Sequence, residues 1–204
     1  PKINPEEIEA IKSSTRDDVW RQEYMAEVVE FSGIVYGELN NASVYDSSIS
    51  FIGHENYPCV VGIDWGRWDP TGVVWLHVAP SGEVIVSKEH VHGDWDTRRH
   101  SEVIQMYSKG RNTEPGNYVL DRSAFRLEGA SPVSIADEFR EQLGWTMQRS
   151  EKDLNVGIDL MKRFLRGNGE KPWLYISAGC TEVLDGLRSW ENGCHEPDVL
   201  AALR

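Results

Sequence analysis

At 204 residues, with 40% apolar and 26% charged side chains, the chain is long enough to bury one substantial hydrophobic core. Its 21 Lys and Arg against 33 Asp and Glu give a net charge of −12, which excludes capture of polyanions by the overall field. No apolar run reaches the roughly 18–20 residues of a bilayer span. Three cysteines without C-x-x-C spacing (Cys59, Cys180 and Cys194) exclude a disulfide framework or a zinc knuckle.

The thiols read instead as small core fillers in a reducing compartment. The first fifteen residues are charged and polar, which is not the pattern of a signal peptide. There is no initiator Met, and residues 199–204 still have a helical pattern, so both ends look cut from a longer polypeptide.

Residues 1–52 read as a linker and helical extension with an edge element. A short acidic helix is expected over 5–11, and a second over 17–31, where Trp20, Tyr24, Val28 and Phe31 recur at helical spacing and Gly33 follows. Residues 45–52 are polar and irregular. From residue 53 onward the pattern is mixed α/β. Apolar or alternating runs predict strands over 59–64, 72–79 and 83–91, with Pro80-Ser81-Gly82 as a turn. A helix over 97–109, a strand over 117–121 and a helix over 134–143 follow. Then come a short strand over 145–148, a strongly amphipathic helix over 154–166, a strand over 173–177 and a helix over 181–190. Pro197 opens a last helix, a position where proline is well tolerated. Three antiparallel strands followed by parallel α/β units is the ribonuclease H-like plan: a mixed central sheet flanked by helices.

Two acids stand at the ends of buried strands. Asp64 follows Cys59-Val60-Val61-Gly62-Ile63, and Asp121 follows Tyr118-Val119-Leu120. Carboxylates placed there are costly unless something neutralises them, and strand C-terminal ends are where open α/β sheets take ligands. Asp198 follows Pro197 at a helix start, where capping is the plain alternative. Convergence of the three would make an oxygen-rich site suited to Mg²⁺ or Mn²⁺. Two such ions roughly 3.5–4 Å apart serve phosphodiester hydrolysis, with Asp64 bridging both and Asp121 and Asp198 each holding one. The nucleophile is then water, and no Ser or Cys nucleophile is required.

These motifs resemble a known family. Gly62-Ile63-Asp64-Trp65-Gly66-Arg67 with Asp69-Pro70-Thr71-Gly72 resembles the start of the nuclease domain of phage terminase large subunits. Leu120-Asp121-Arg122-Ser123-Ala124-Phe125 is similar to that family's second acidic strand end, and Pro197-Asp198-Val199-Leu200-Ala201-Ala202-Leu203-Arg204 to its last acidic helix. Upstream, Trp20-Arg21-Gln22-Glu23-Tyr24-Met25-Ala26-Glu27 with Gly33-Ile34-Val35-Tyr36 resembles the segment that joins the packaging ATPase to the nuclease. The resemblance implies a divalent-metal-dependent endonuclease that cuts double-stranded concatemeric viral DNA during genome packaging in the host cell cytoplasm. It also implies the ATPase domain, the small terminase subunit and the portal as partners. Two departures stand out: Ala201 where the family often has a further Asp, and a short stretch from Trp190 to Cys194 where a longer hairpin is common. No G-x-x-x-x-G-K-[ST] loop occurs, so the ATP motor is not in this sequence.

Candidate DNA contacts are Arg122, Arg126, Arg149, Lys152, Lys162, Arg163 and Arg166, with Arg122, Arg149 and Lys152 favoured by their closeness to the strand ends. His195, three residues ahead of Asp198, is placed to support it. His90-x-His92 puts two imidazoles on one strand face, a weak zinc signature with no third ligand in view. Trp75, Trp145 and Trp173 fall within predicted strands and read as core. A competing reading is an ATP-binding domain of the actin and sugar-kinase type, from Asp64-x-Gly66 after a strand. Another is a different ribonuclease H-like enzyme, such as a junction resolvase.

Overall fold

The computed structural model describes residues 33–46, 56–111, 113, 117–127, 132–151 and 153–203. The two expected N-terminal helices and Lys152 lie outside these residues. Among these residues the strands are β1 (Val44–Tyr45), β2 (Cys59–Asp64), β3 (Thr71–Val78), β4 (Val84–His92), β5 (Tyr118–Leu120), β6 (Gln148–Arg149) and β7 (Leu174–Ser177). The α-helices among them are α1 (Thr97–Ser108), α2 (Ile135–Leu143), α3 (Leu154–Arg166), α4 (Thr181–Ser189) and α5 (Asp198–Leu203).

One sheet holds all seven strands in the order β1-β7-β4-β3-β2-β5-β6. The pairs β2·β3 and β3·β4 are antiparallel, while β2·β5, β5·β6, β4·β7 and β1·β7 are parallel. This is the ribonuclease H-like plan expected from the sequence. The meander forms because short turns join its strands. Ala79 and Glu83 bond across the second of them, where Gly82 takes a left-handed φ of 96°.

Alternate residues of the central strands face opposite sides. Val61, Ile63, Val73 and Trp75 pack with Ile104 of α1 and Phe139 of α2. Val74, Val86 and Ile176 pack with Leu165 of α3, Leu187 of α4 and Leu200 of α5. Helix starts follow local chemistry: Asp96 accepts from Arg99 N at 2.9 Å, and Ser134 and Asp137 form a reciprocal capping box at α2.

Four expectations change. Val35 and Tyr36 are core residues, 3% and 2% exposed, so the chain before residue 52 is more than linker and edge. β6 sits at Gln148–Arg149, after Trp145 instead of around it. Trp145 lies in the connection and packs against Tyr118 with ring centroids 4.6 Å apart. Trp173 likewise precedes β7 and stands over Phe164. Cys59 and Cys180 are buried, their thiols pushed up to about 12 by burial, but Cys194 is exposed. Among the described residues no helix is long and apolar enough to cross a membrane.

Candidate metal centre

β2 and β5 are parallel neighbours with Ile63 opposite Leu120, and Asp121 N donates to Ile63 O at 2.9 Å. Asp64 and Asp121 are therefore the next residue on each strand and leave the sheet side by side, at the spacing of adjacent strands, roughly 4.8 Å. Both line a cleft of about 620 Å³. Ser123 fixes the Asp121 carboxylate with its backbone N–H, at 2.8 Å, and with its hydroxyl. Glu151 and Glu196 bring further carboxylates to the cleft, Arg122 and Arg126 bring cations, and Leu154 at the start of α3 adds an apolar wall.

α5 closes the cleft from the side. It does so because two strand glycines let its backbone lie directly on the sheet. A Cβ at Gly72 would come within 2.6 Å of Asp198 O, and one at Gly62 would collide with Ala202 O. Leu200 in turn packs onto Gly186 of α4, where a Cβ would stand 3.1 Å from its Cγ. Seated in this way, α5 presents Ala201 and Ala202 to the cleft.

Asp198 does not line it. This half-buried acid is held above the usual carboxylate range, first by burial and next by the charge of Asp69, with His195 pulling the other way. Among the described residues no three His, Cys, Asp or Glu side chains stand close enough together to hold a metal ion. The geometry thus joins Asp64 with Asp121, and puts Ala201 where α5 meets that pair. His195 is exposed and acts on Asp198 electrostatically. Glu151 and Glu196 belong to no recognisable motif. Each is one acid in a polar connection, so only the fold reveals them.

The basic candidates separate. Arg122 lines the cleft and donates to Ser150 O at 3.1 Å, and Arg126 lines it as well. Arg149 lies over the Phe125 ring, 4.8 Å from its centroid. Arg163 and Arg166 sit toward the far end of α3, about 14 and 18 Å from Leu154 at the helical rise. There they engage Trp173 and Glu38. The His90-x-His92 pair gains a third imidazole, but in a ring stack. His90 Nε2 meets His100 Nδ1 at 3.2 Å, and Trp95 stacks on His92 with centroids 3.9 Å apart.

A ribonuclease H-like sheet with two carboxylates at neighbouring strand ends defines the class. Solved structures similar to this chain in fold include large terminases and large-terminase nuclease domains. The nuclease domain of the P22 large terminase matches with a TM-score of 0.66 at 10% identity, over 83% of this chain and 88% of that one. The large terminase of the thermophilic bacteriophage D6E matches with a TM-score of 0.61 at 16% identity, over 97% of this chain but 47% of that one. The chain therefore spans about half the length of the D6E protein. The large terminase nuclease of thermophilic phage G20c matches with a TM-score of 0.50 at 13% identity, over 72% of this chain and 82% of that one. No family model matches the sequence, and no curated protein matches it significantly.

Proposed function

We propose that this chain is the nuclease domain of a phage terminase large subunit, a divalent-metal-dependent endonuclease that cuts double-stranded concatemeric DNA during packaging. The observation that carries the reading is the pairing of Asp64 with Asp121 in a cleft that also holds Arg122 and Arg126. The donor set fits the metal: two adjacent carboxylates are hard oxygen ligands, and Mg²⁺ or Mn²⁺ prefers these. They also repel one another unless a cation is shared between them. When bound, the metal supplies charge neutralisation at the phosphodiester and makes an attacking water more acidic.

Asp64 and Asp121 hold the metal, with Glu196 and Glu151 as further acids of the cleft and Asp198 as an auxiliary acid at the start of α5. Arg122, fixed by Ser150, and Arg126 bind phosphate oxygens and set the register of the strand. The ATPase domain, the small subunit and the portal supply the grip on DNA that a chain of net charge −12 lacks.

The test is nicking of supercoiled plasmid. Cutting is expected with Mn²⁺ or Mg²⁺, and a fall on the order of a hundredfold or more in Asp64→Ala and in Asp121→Ala. Asp198→Ala is expected to lose less. Cutting in excess chelator, or undiminished cutting by Asp64→Ala, overturns the reading.

A further inference from the structure

A second, smaller cavity of about 270 Å³ opens beside the cleft, and Arg126 lines both. Its other walls include Trp65, Arg67, Trp95, Asp96 and Glu138. The volume lies just below the roughly 300–1,000 Å³ of pockets for drug-sized ligands, so it suits a single flat ring system.

The aromatic walls are held in place. Trp65 directly follows Asp64 and packs edge-on against Phe139 and His100, each with centroids 5.8 Å away. Its Nε1–H is buried without a hydrogen-bond partner among the described residues. Trp95 is stacked on His92, and Asp94 before it takes a left-handed φ of 59° that turns the chain there.

Charge sets the orientation. Asp96 and Glu138 can accept from the amino group of a base, and Arg67 stands with them in the wall. Arg126, shared with the cleft, favours the phosphate at the mouth. We propose that this pocket takes one unstacked nucleobase of a DNA strand whose adjoining phosphate lies in the Asp64–Asp121 cleft. This rests on the nuclease reading. It also answers the charge problem, because stacking on an aromatic ring contributes affinity that depends on neither phosphate neutralisation nor low salt.

The experiment measures binding by fluorescence anisotropy in chelator, where no cutting occurs. The probes are a short labelled single strand, its perfect duplex, and free dAMP as competitor. The single strand is expected to bind more tightly than the duplex. Trp95→Ala is expected to weaken single-strand binding about tenfold without changing the salt slope. Arg126→Ala is expected to reduce that slope by about 1. Trp95→Phe, which keeps a stacking ring, is expected to restore most of the affinity and guards against misfolding as the cause. Equal binding of strand and duplex, unmoved by Trp95→Ala, overturns the proposal. Competition by dAMP at the strand's own affinity overturns it too, since the pocket would then be a free-nucleotide site. Plasmid cutting by the same preparations separates the two readings. Cutting without Trp95-dependent binding removes the pocket alone, and Trp95-dependent binding without cutting removes the nuclease alone.

Discussion

Ala201 enters the cleft from α5, while Asp198, one turn earlier, is subject to the charges of Asp69 and His195. An acid at 201 would face Asp64 and Asp121 directly. In Ala201→Asp the metal-free protein is expected to melt lower, from like-charge repulsion. Its Mn²⁺ affinity by calorimetry is expected to rise about tenfold or more, because a third hard ligand joins the pair. Unchanged Mn²⁺ affinity would show that α5 does not address the metal. A second residue-scale test uses His100, which is fully buried and whose pKa falls to about 4 through burial and the nearby His90 and His92, with Asp96 opposing. A histidine with a depressed folded pKa is neutral in the fold and takes its proton on unfolding. Stability is therefore complete above about pH 6.5 and declines as pH falls toward 4. Between pH 7 and pH 5 the loss is on the order of 2 kcal/mol. It is expected to vanish from the denaturant midpoints of His100→Phe. The two strand-end acids were legible because each ends an apolar run. The seating of α5 was not, since helical phase over so short an element is fixed by what it packs on.

α5 owes its place to the bare backbone of β2 and β3. In Gly72→Ala the new methyl would meet Asp198 O at 2.6 Å, backbone against backbone, with no flexible side chain to yield. The expected cost is about 1–3 kcal/mol in denaturant unfolding. The loss of cutting should be larger than that stability change explains, because the helix that closes the cleft shifts. Activity retained in full alongside normal stability would mean the close approach is immaterial. Long elements were readable from pattern: β2 and α3 have the ends their periodicity predicts. The two-residue strands were not. β1 and β6 carry no alternation, and they exist because β7 and β5 offer parallel edges to pair with. Trp145 looked like strand material because of its β propensity, but a contact with Tyr118 holds it outside the sheet.

Over the whole molecule, charge is against polyanions: the net charge is −12, and in the cleft Arg122 and Arg126 stand among four carboxylates. With a net charge of −12 and a few arginines at the site, the chain alone is expected to bind duplex at micromolar Kd or weaker, with affinity falling steeply between 50 and 200 mM salt. Titration by anisotropy checks this, and nanomolar binding at physiological salt would refute it. The fold class was legible because the order of strands and helices along the chain mirrors the sheet plan. The β1 edge was not, because its pairing joins distant segments.

That sheet order also governs how the protein comes into being. β7 is the last strand of the chain, yet it lies between β4 and β1, which are made far earlier. A growing polypeptide on the ribosome therefore carries an unzipped β4 flank, and an oily face awaiting α3, α4 and α5, through most of its synthesis. Until residues 174–177 slide into that gap, the nascent chain is exposed to clumping with its neighbours. The Asp64–Asp121 cleft acquires its final wall only when α5 settles on Gly62 and Gly72.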